Sequence, residues 1–388
     1  MTVTPFEIPV NPLEMALIRS RVGAFRFFEE PEDAAQPDGV NHSWKHGANR
    51  DYMERLRTYW LEQYDWPAAV AHLNRLPHVR VGVDALGADG FHLHAVHKRS
   101  SRPDAQPLLI AHGWPGSILE FDAIIERLAE PEDPSQPAFH VVAPSLPGYA
   151  WSDRPKSPIG PRGVAGLYDA LMGALGYDRF IYQGGDWGCV IGGWVGLDSA
   201  RVSALHLNGF GLRPANMTPE TPADVAWLQK AVAMRETETA YLQLQGTKPQ
   251  SLGFAMMDSP MGVAAWFAEK FVGWSDVKHQ VDDPPFSFDQ MLTNIMIYLT
   301  TRSFLTATWI YRGMFLEGGF SIPAGRRIEV PTGVAAFPYD LLRFPPRPMV
   351  ERGYNVVHWT DMPRGGHFAS LEEPDLFLAD LRAFVRGL

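Results

Sequence analysis

The sequence predicts an α/β protein: a doubly wound, mostly parallel sheet with an inserted helical cap and an N-terminal meander ahead of it. Three observations lead there. From 102 to 211, apolar runs of strand length alternate with helical stretches across short loops, the pattern of parallel strands joined by crossover helices. From 212 to 323 that rhythm stops, and a helical stretch rich in Met and aromatic residues takes its place. From 324 to 388 strand and helix signals return and close the chain.

The elements follow in order. The first segment, 1–101, starts with prolines, offers a helix over 12–22 and an acidic loop over 29–38. A longer helix over 51–74 carries an aromatic face of Tyr52, Leu56, Tyr59, Trp60, Leu61, Tyr64 and Trp66. Residues 79–83 and 91–96 alternate like two strands, joined through Gly87-Ala88-Asp89-Gly90, a hairpin signal. Strands are expected at 108–111, 139–143, 180–183 and 203–208, with helices at 119–128 and 164–175 and another opening at the turn 184–188. Past the insertion, 327–337 and 355–359 read as the last strands and 375–385 as an amphipathic closing helix. The expected division is an N-terminal region (1–101) packing on core and cap, a core of 102–211 and 324–388, and a cap of 212–323. The glycine-rich turns of the core all follow strands, at the edge where such sheets carry their sites.

Composition narrows the partners. Of 388 residues, 46% are hydrophobic and 20% charged, enough for a sizeable core. A net charge of −10, from 44 acids against 34 bases, argues against nucleic acid or an anionic membrane as partner, because either needs a concentrated basic face. The single cysteine, Cys189, cannot form an internal disulfide. Residues 1–15 carry prolines and acids rather than an apolar signal run, and no stretch approaches the roughly 18–20 apolar residues of a membrane span. The expectation is a cytoplasmic protein with no membrane anchor. Twelve Trp residues exceed what packing ordinarily uses.

Residues 184–188 read Gly-Gly-Asp-Trp-Gly, the strand–turn–helix elbow that usually exposes a serine, here with Asp186 at its centre. A bend that sharp leaves no room for side chains two positions away, which accounts for the glycines. Asp186 is lifted to the mouth of the sheet at a helix N-terminus, whose dipole favours the carboxylate. A plain N-cap is the competing reading. A carboxylate nucleophile forms an ester that water must open, so a base is required. His367, in Gly365-Gly366-His367-Phe368 after the last strand, suits that role, and Asp340, after strand 327–337, would orient it. The chain order of nucleophile, acid and base matches the usual partners of the elbow. Asn208, after the preceding strand, cannot serve as the acid. The oxyanion donors expected are the backbone N–H groups of Trp187 and of Trp114, in the His112-Gly113-Trp114-Pro115 turn. His112 reads as a structural hydrogen-bonder of that turn.

With these residues identified, the chain resembles the microsomal-type epoxide hydrolases, the α/β-hydrolase branch with an extra N-terminal region. The resemblance runs nearly end to end, through HGWPGS (112–117), GGDWG (184–188), TKPQSLGFAMMDSPMGVAAWFAEKF (247–271), FPYD (337–340) and GGHF (365–368). It implies an α/β-hydrolase fold, no cofactor, and a small lipophilic epoxide and water as reactants. It implies Asp186 as nucleophile, His367 as base and Asp340 as charge partner, and two cap tyrosines at the epoxide oxygen, Tyr241 and Tyr311. The chemistry agrees. Opening an epoxide generates an alkoxide, a poor leaving group, and a phenol of pKa about 10 donates to it without ionising at neutral pH. Burial of either tyrosine in the cap core is the competing reading. Two positions depart from the family pattern: Tyr-Arg-Glu becomes Tyr311-Arg312-Gly313, and Trp-x-Tyr-Gly becomes Trp44-Lys45-His46-Gly47.

Other features read more plainly. His92, His94 and His97 have no nearby Cys or carboxylate to complete a site, so they are surface or packing residues and no metal is expected. Lys248 reads as solvated. Met256, Met257, Met261, Trp266 and Trp274 read mostly as cap core, some lining an apolar pocket. Two rival functions use the same residues. A haloalkane dehalogenase shares the Asp–His–acid machinery and holds its halide with indole or amide N–H donors, which Trp114 and Trp187 carry. A non-catalytic hydrolase-fold binding protein would have no need of a water-activating base. The aromatics of the first segment are free to cover the cap or a partner chain, which leaves a homodimer open.

Overall fold

The computed structural model describes residues 2–31, 44–84, 90–277 and 285–388. Among these, nine strands form one sheet: β1 (Val3–Phe6), β2 (His78–Val83), β3 (Phe91–Lys98), β4 (Gln106–Ala111), β5 (Phe139–Pro144), β6 (Phe180–Gly184), β7 (Val202–Leu207), β8 (Ile328–Ala336) and β9 (Tyr354–Asp361). Their spatial order is β1-β2-β3-β5-β4-β6-β7-β8-β9. From β5 to β9 every pairing is parallel, while β1, β2 and β3 join antiparallel to each other and to β5. Leu108, Leu109, Ile110 and Ala111 are all buried, as are Val141, Val142 and Ala143. Strands covered on both faces need apolar side chains at every position, which is why these segments read as runs rather than alternations.

Helices cover both faces. Asp122–Ala129 and Pro374–Arg386 lie on one face, where Ile124, Leu128, Phe377 and Phe384 meet Leu108, Ile110 and Val141. Pro161–Ala174 and Trp187–Asp198 lie on the other, where Tyr168, Leu171 and Val195 meet Leu109, Val142 and Tyr182. The closing helix is also pinned by charge. Buried Asp380 accepts from His206 on β7 (2.9 Å) and from His358 and Thr360 on β9 (2.8 and 2.5 Å). Burial works to raise the Asp380 pKa, yet these partners outweigh it and hold the carboxyl at about 2.

Three elements differ from the sequence expectation. The aromatic helix expected over 51–74 is two helices, Arg50–Glu62 and Trp66–Leu73. Asp65 caps the second by accepting from the Ala68 N–H at 3.0 Å, and Pro67, without an N–H, sits in its first turn, where a continuous helix would need one. The irregular start contains β1, a short edge strand with mostly exposed side chains and a proline, hence no alternation to read. Tyr52, Trp60 and Trp66 are buried within the chain, while Phe28 stays exposed. The β2–β3 register joins Val83 to Phe91 as a hairpin requires. Residues 87–89 of its turn, and most of the acidic loop, lie outside the described residues.

Between β7 and β8 the described chain is helical, from Pro222–Glu238 through Trp309–Leu316. The neck of this insertion is closed by its own backbone: the Arg213 N–H donates to the Phe320 carbonyl (2.7 Å) and the Ile322 N–H to that of Arg213 (2.8 Å). The N-terminal segment ties it down. Tyr59 donates to Asp289 (3.0 Å), Tyr64 bonds Thr293 (3.1 Å), and Arg21 pairs with Asp258 (2.9 Å). No described helix is long and apolar enough to cross a membrane.

Candidate active site

Strand β6 runs straight into the helix Trp187–Asp198, and Asp186 makes the turn at φ 48°, ψ −123°. That conformation is strained for a residue with a side chain, and it is held because the surroundings leave no alternative. A Cβ on Gly184 would overlap the Gly188 carbonyl, and one on Gly188 would overlap that of Ala111. The Asp186 side chain makes no capping bond to its own helix, so the N-cap reading fails. Its Oδ1 accepts instead from the Trp114 N–H at 2.8 Å. Gly113 permits that approach, since a Cβ there would overlap the Asp186 carboxylate. Trp187 is the first residue of the helix, so its N–H has no intrahelical acceptor.

His367 Nδ1 lies 2.7 Å from Asp340 Oδ1, and its Nε2 lies 3.3 Å from Asp186 Oδ2, close but not aligned as a hydrogen bond. Burial acts to lower the imidazole pKa, but Asp340 and Asp186 together override it and hold His367 well above its ordinary value. The loop around His367 is fastened from a distance. Glu372 accepts from the N–H groups of Asp276, Gly366 and Phe368 (2.8, 2.9 and 2.9 Å), and the His367 N–H donates to Trp274 (2.9 Å). Asn208, rejected as the acid, accepts from Gln183 at 2.7 Å. His112 behaves as a structural residue, with Nδ1 on the Gly113 carbonyl (2.9 Å) and Nε2 on the Leu146 N–H (3.4 Å).

The cap brings Tyr241 and Tyr311 over this floor. Their rings meet edge to face at 5.9 Å. Tyr241 stacks on Trp114 (5.3 Å, 10°), and Tyr311 stands edge-on to Trp187 (4.7 Å, 87°). Trp274 leans on both Tyr241 (5.4 Å) and His367 (5.0 Å). Trp114, Trp187 and Trp274 thus form the walls that hold the phenols. Burial first pushes both phenol pKa values well above 10, helped by the Asp186 charge for Tyr241 and by Tyr241 and then Asp186 for Tyr311, so both remain proton donors. Asp186, Trp187, Tyr241, Tyr311, Asp340 and His367 line one cavity of about 360 Å³. Trp114, fully buried behind Tyr241, reaches it through its backbone N–H.

Several residues here carried no legible signal. Lys270 is buried with its ammonium 4.7 Å from the Tyr241 ring centre and paired to Glu269 at 2.6 Å. Glu120 fills the space that a side chain on Gly116 would take, and its carboxyl is pushed up to about 8, mainly by burial. Both arrive through long-range packing that no local pattern encodes. The Gly313 departure has a physical reason. A Cβ there would overlap the backbone of Ile159 and Gly160, and Glu317, one turn later, supplies the carboxylate that accepts from Gly160, Arg162 and Gly163. In the other departure, Gly47 adopts φ 107° in a turn closed onto Trp44. Lys248 is exposed, as expected. His94 bonds His78 and Ser145, and His97 bonds Tyr177.

A parallel sheet, a carboxylate on a strained elbow and a His–Asp pair at the ends of later strands define an α/β-hydrolase with an aspartate at the elbow. Comparison with known proteins agrees. Residues 3–121 match the family described as "Epoxide hydrolase N terminus" and residues 106–256 the "alpha/beta hydrolase fold". A putative epoxide hydrolase of Stigmatella aurantiaca is 36% identical over 100% of this chain and 85% of its own length. Epoxide hydrolase 1 of Sus scrofa is 31% identical over 99% of this chain and 88% of its own. The structure of Aspergillus niger epoxide hydrolase superposes with a TM-score of 0.85 at 29% identity, covering 100% of this chain and 97% of that one. The chain belongs to the microsomal-type epoxide hydrolase family.

Proposed function

We propose that the chain hydrolyses a lipophilic epoxide to a vicinal diol through a covalent ester on Asp186. The observation that carries this is the convergence of a strained carboxylate, a His–Asp pair and two un-ionised phenols on one largely apolar cavity. Because Oδ1 is held by Trp114, Oδ2 is the attacking atom. It bonds an epoxide carbon from behind, and the carbon–oxygen electron pair passes to the epoxide oxygen, to which Tyr241 and Tyr311 donate. The proton that finally stays on that oxygen is replaced, through the phenols, from the His367 imidazolium. Ester formation removes the Asp186 charge, one of the two that raise the His367 pKa, so the imidazole becomes a base only when there is an ester to open.

Neutral His367 then takes a proton from water, and the hydroxide adds to Asp186 Cγ. The charge on Oδ1 is met by the Trp114 and Trp187 N–H groups. Collapse breaks the ester bond, the departing alkoxide takes the remaining proton of the added water, and the diol leaves with the Asp186–His367 ion pair restored. The closed neck at Arg213 and Ile322 and the continuity of β1–β3 with the sheet support one catalytic unit, divided as an N-terminal region (1–101), a core (102–211 and 324–388) and a cap (212–323).

The test is a His367→Ala variant incubated with styrene oxide and weighed intact. An adduct that maps to Asp186 is expected. The indole N–H groups of Trp114 and Trp187 are buried without acceptors, the donors a halide would use, so haloalkanes belong in the same panel. Adducts with haloalkanes and none with any epoxide would replace this reading with dehalogenation.

A further inference from the structure

The catalytic cavity is electrically lopsided. Among the described residues its only acids, Asp186 and Asp340, stand at the closed end beside His367. Arg213 and Arg235 line the same cavity. Arg235 is exposed, which places it at the mouth, and Arg213 is half-buried between mouth and floor. Several arginines of this acid-rich chain are paired with carboxylates: Asp198 takes both Arg162 and Arg326, Asp169 takes Arg201, and Glu373 takes Arg364. Neither cavity arginine has an ion pair or a side-chain hydrogen bond among the described residues, and Arg213 Nε is buried with no acceptor at all.

Arg213 stacks its guanidinium on the Phe320 ring (5.7 Å), which fixes the side chain but satisfies none of its donors. Burial, and then the like charge of Arg235, depress its pKa, so the pair repel with no acid between them. A half-buried guanidinium whose Nε has no acceptor carries a desolvation cost that an anionic ligand would offset. The cavity that these arginines share with the nucleophile is lined largely by apolar side chains, among them Val190, Phe210, Leu242, Met314, Phe315 and Phe320.

We propose that the preferred substrate is an epoxide with a carboxylate at the far end of an apolar chain, the carboxylate held by Arg213 and Arg235 while the epoxide reaches Asp186. The inference rests on the epoxide-hydrolase reading and assigns its substrate class. The two ends of the cavity also set direction: Asp186 and Asp340 repel a carboxylate from the floor, so only the epoxide end enters first.

The experiment compares terminal epoxy-alkanoic acids of increasing chain length with their own methyl esters, at low and high salt. At a matching length the acid is expected to exceed the ester in kcat/KM by about tenfold, chiefly through KM, the scale of one charge-assisted hydrogen-bonded contact. Added salt shrinks that ratio by screening the exposed Arg235. Arg213→Met lowers the acid-to-ester ratio by about tenfold, and Arg213→Lys restores part of it. Taking the ratio cancels any loss common to both substrates. Should Arg213→Met fail to fold, Arg235→Glu at the exposed mouth carries the test by turning the preference towards the ester. A ratio near one at every length, or a preference that survives both Arg213→Met and Arg235→Glu, overturns the inference while ester turnover leaves the epoxide-hydrolase reading standing. If neither acids, esters nor styrene oxide alkylate Asp186, that reading falls and this one with it.

Discussion

The sheet-side wall of the cavity, with Asp186, His367 and Asp340, is made of short turns that follow β6, β8 and β9. The cap-side wall, with Tyr241, Tyr311 and Lys270, is made of helices about thirty to seventy residues apart that meet only when the cap closes on the core. In the first wall, geometry is local: Gly184 and Gly188 permit one backbone path, and that path aims Asp186. In the second, no backbone constraint aims a phenol. Tyr241 is held by Trp114, Trp274 and Lys270, and Tyr311 by Trp187, all through ring packing. Chemistry that tolerates little displacement sits on the sheet, and groups that must fit a substrate sit on the part that can be repacked.

Substitutions on the two walls should therefore separate the two chemical steps. Asp186→Asn is expected to abolish ester formation, by about a thousandfold or more, with no adduct by intact mass. Measurable adduct at another residue would move the nucleophile off the elbow. Tyr241→Phe and Tyr311→Phe should each slow single-turnover ester formation by roughly 10- to 100-fold, and the double variant by about a thousandfold, while hydrolysis of a preformed ester changes little. A double variant that alkylates at the normal rate would reduce the phenols to packing.

Smaller effects sharpen the contrast. Lys270→Met removes a cation from the face of Tyr241 and should slow ester formation by about fivefold, with Lys270→Arg retaining most of the rate. Loss confined to ester hydrolysis would assign Lys270 elsewhere. Because both phenols are raised well above 10, any decline in ester formation below pH 10 should report the His367 imidazolium and persist in Tyr241→Phe and in Tyr311→Phe. A decline that disappears in either variant would mean that phenol is less buried than it stands here. Under the sheet, Asp380 has its pKa lowered from 3.8 to about 2, so its contribution is present above pH 4 and lost as pH falls through about 2. Asp380→Asn should cost about 2 kcal/mol at neutral pH and keep kcat. Melting curves of the two proteins should converge near pH 2.

The parallel core and the elbow were legible because buried strands demand apolar runs and a sharp strand-to-helix bend demands glycine. His367 and Asp340 followed from chain order, which the strand succession imposes. The cap tyrosines were legible only through resemblance to a family, since nothing local distinguishes Tyr241 from a packed phenol. Pattern reading also failed at β1, whose exposed positions bury nothing, and at the break before Trp66, where a cap and a proline outweigh a continuous aromatic stripe.

The sequence by itself determined which carboxylate sits on the elbow and which histidine follows the last strand, because each depends on backbone constraints a few residues long. Only the tertiary structure decided that Glu372 fastens the His367 loop to the 274–276 segment, that Lys270 faces Tyr241, and that Arg213 and Arg235 share a cavity with Asp186. Those contacts join residues brought together by the closure of cap on core, and pairings across that closure leave no periodic trace in the chain.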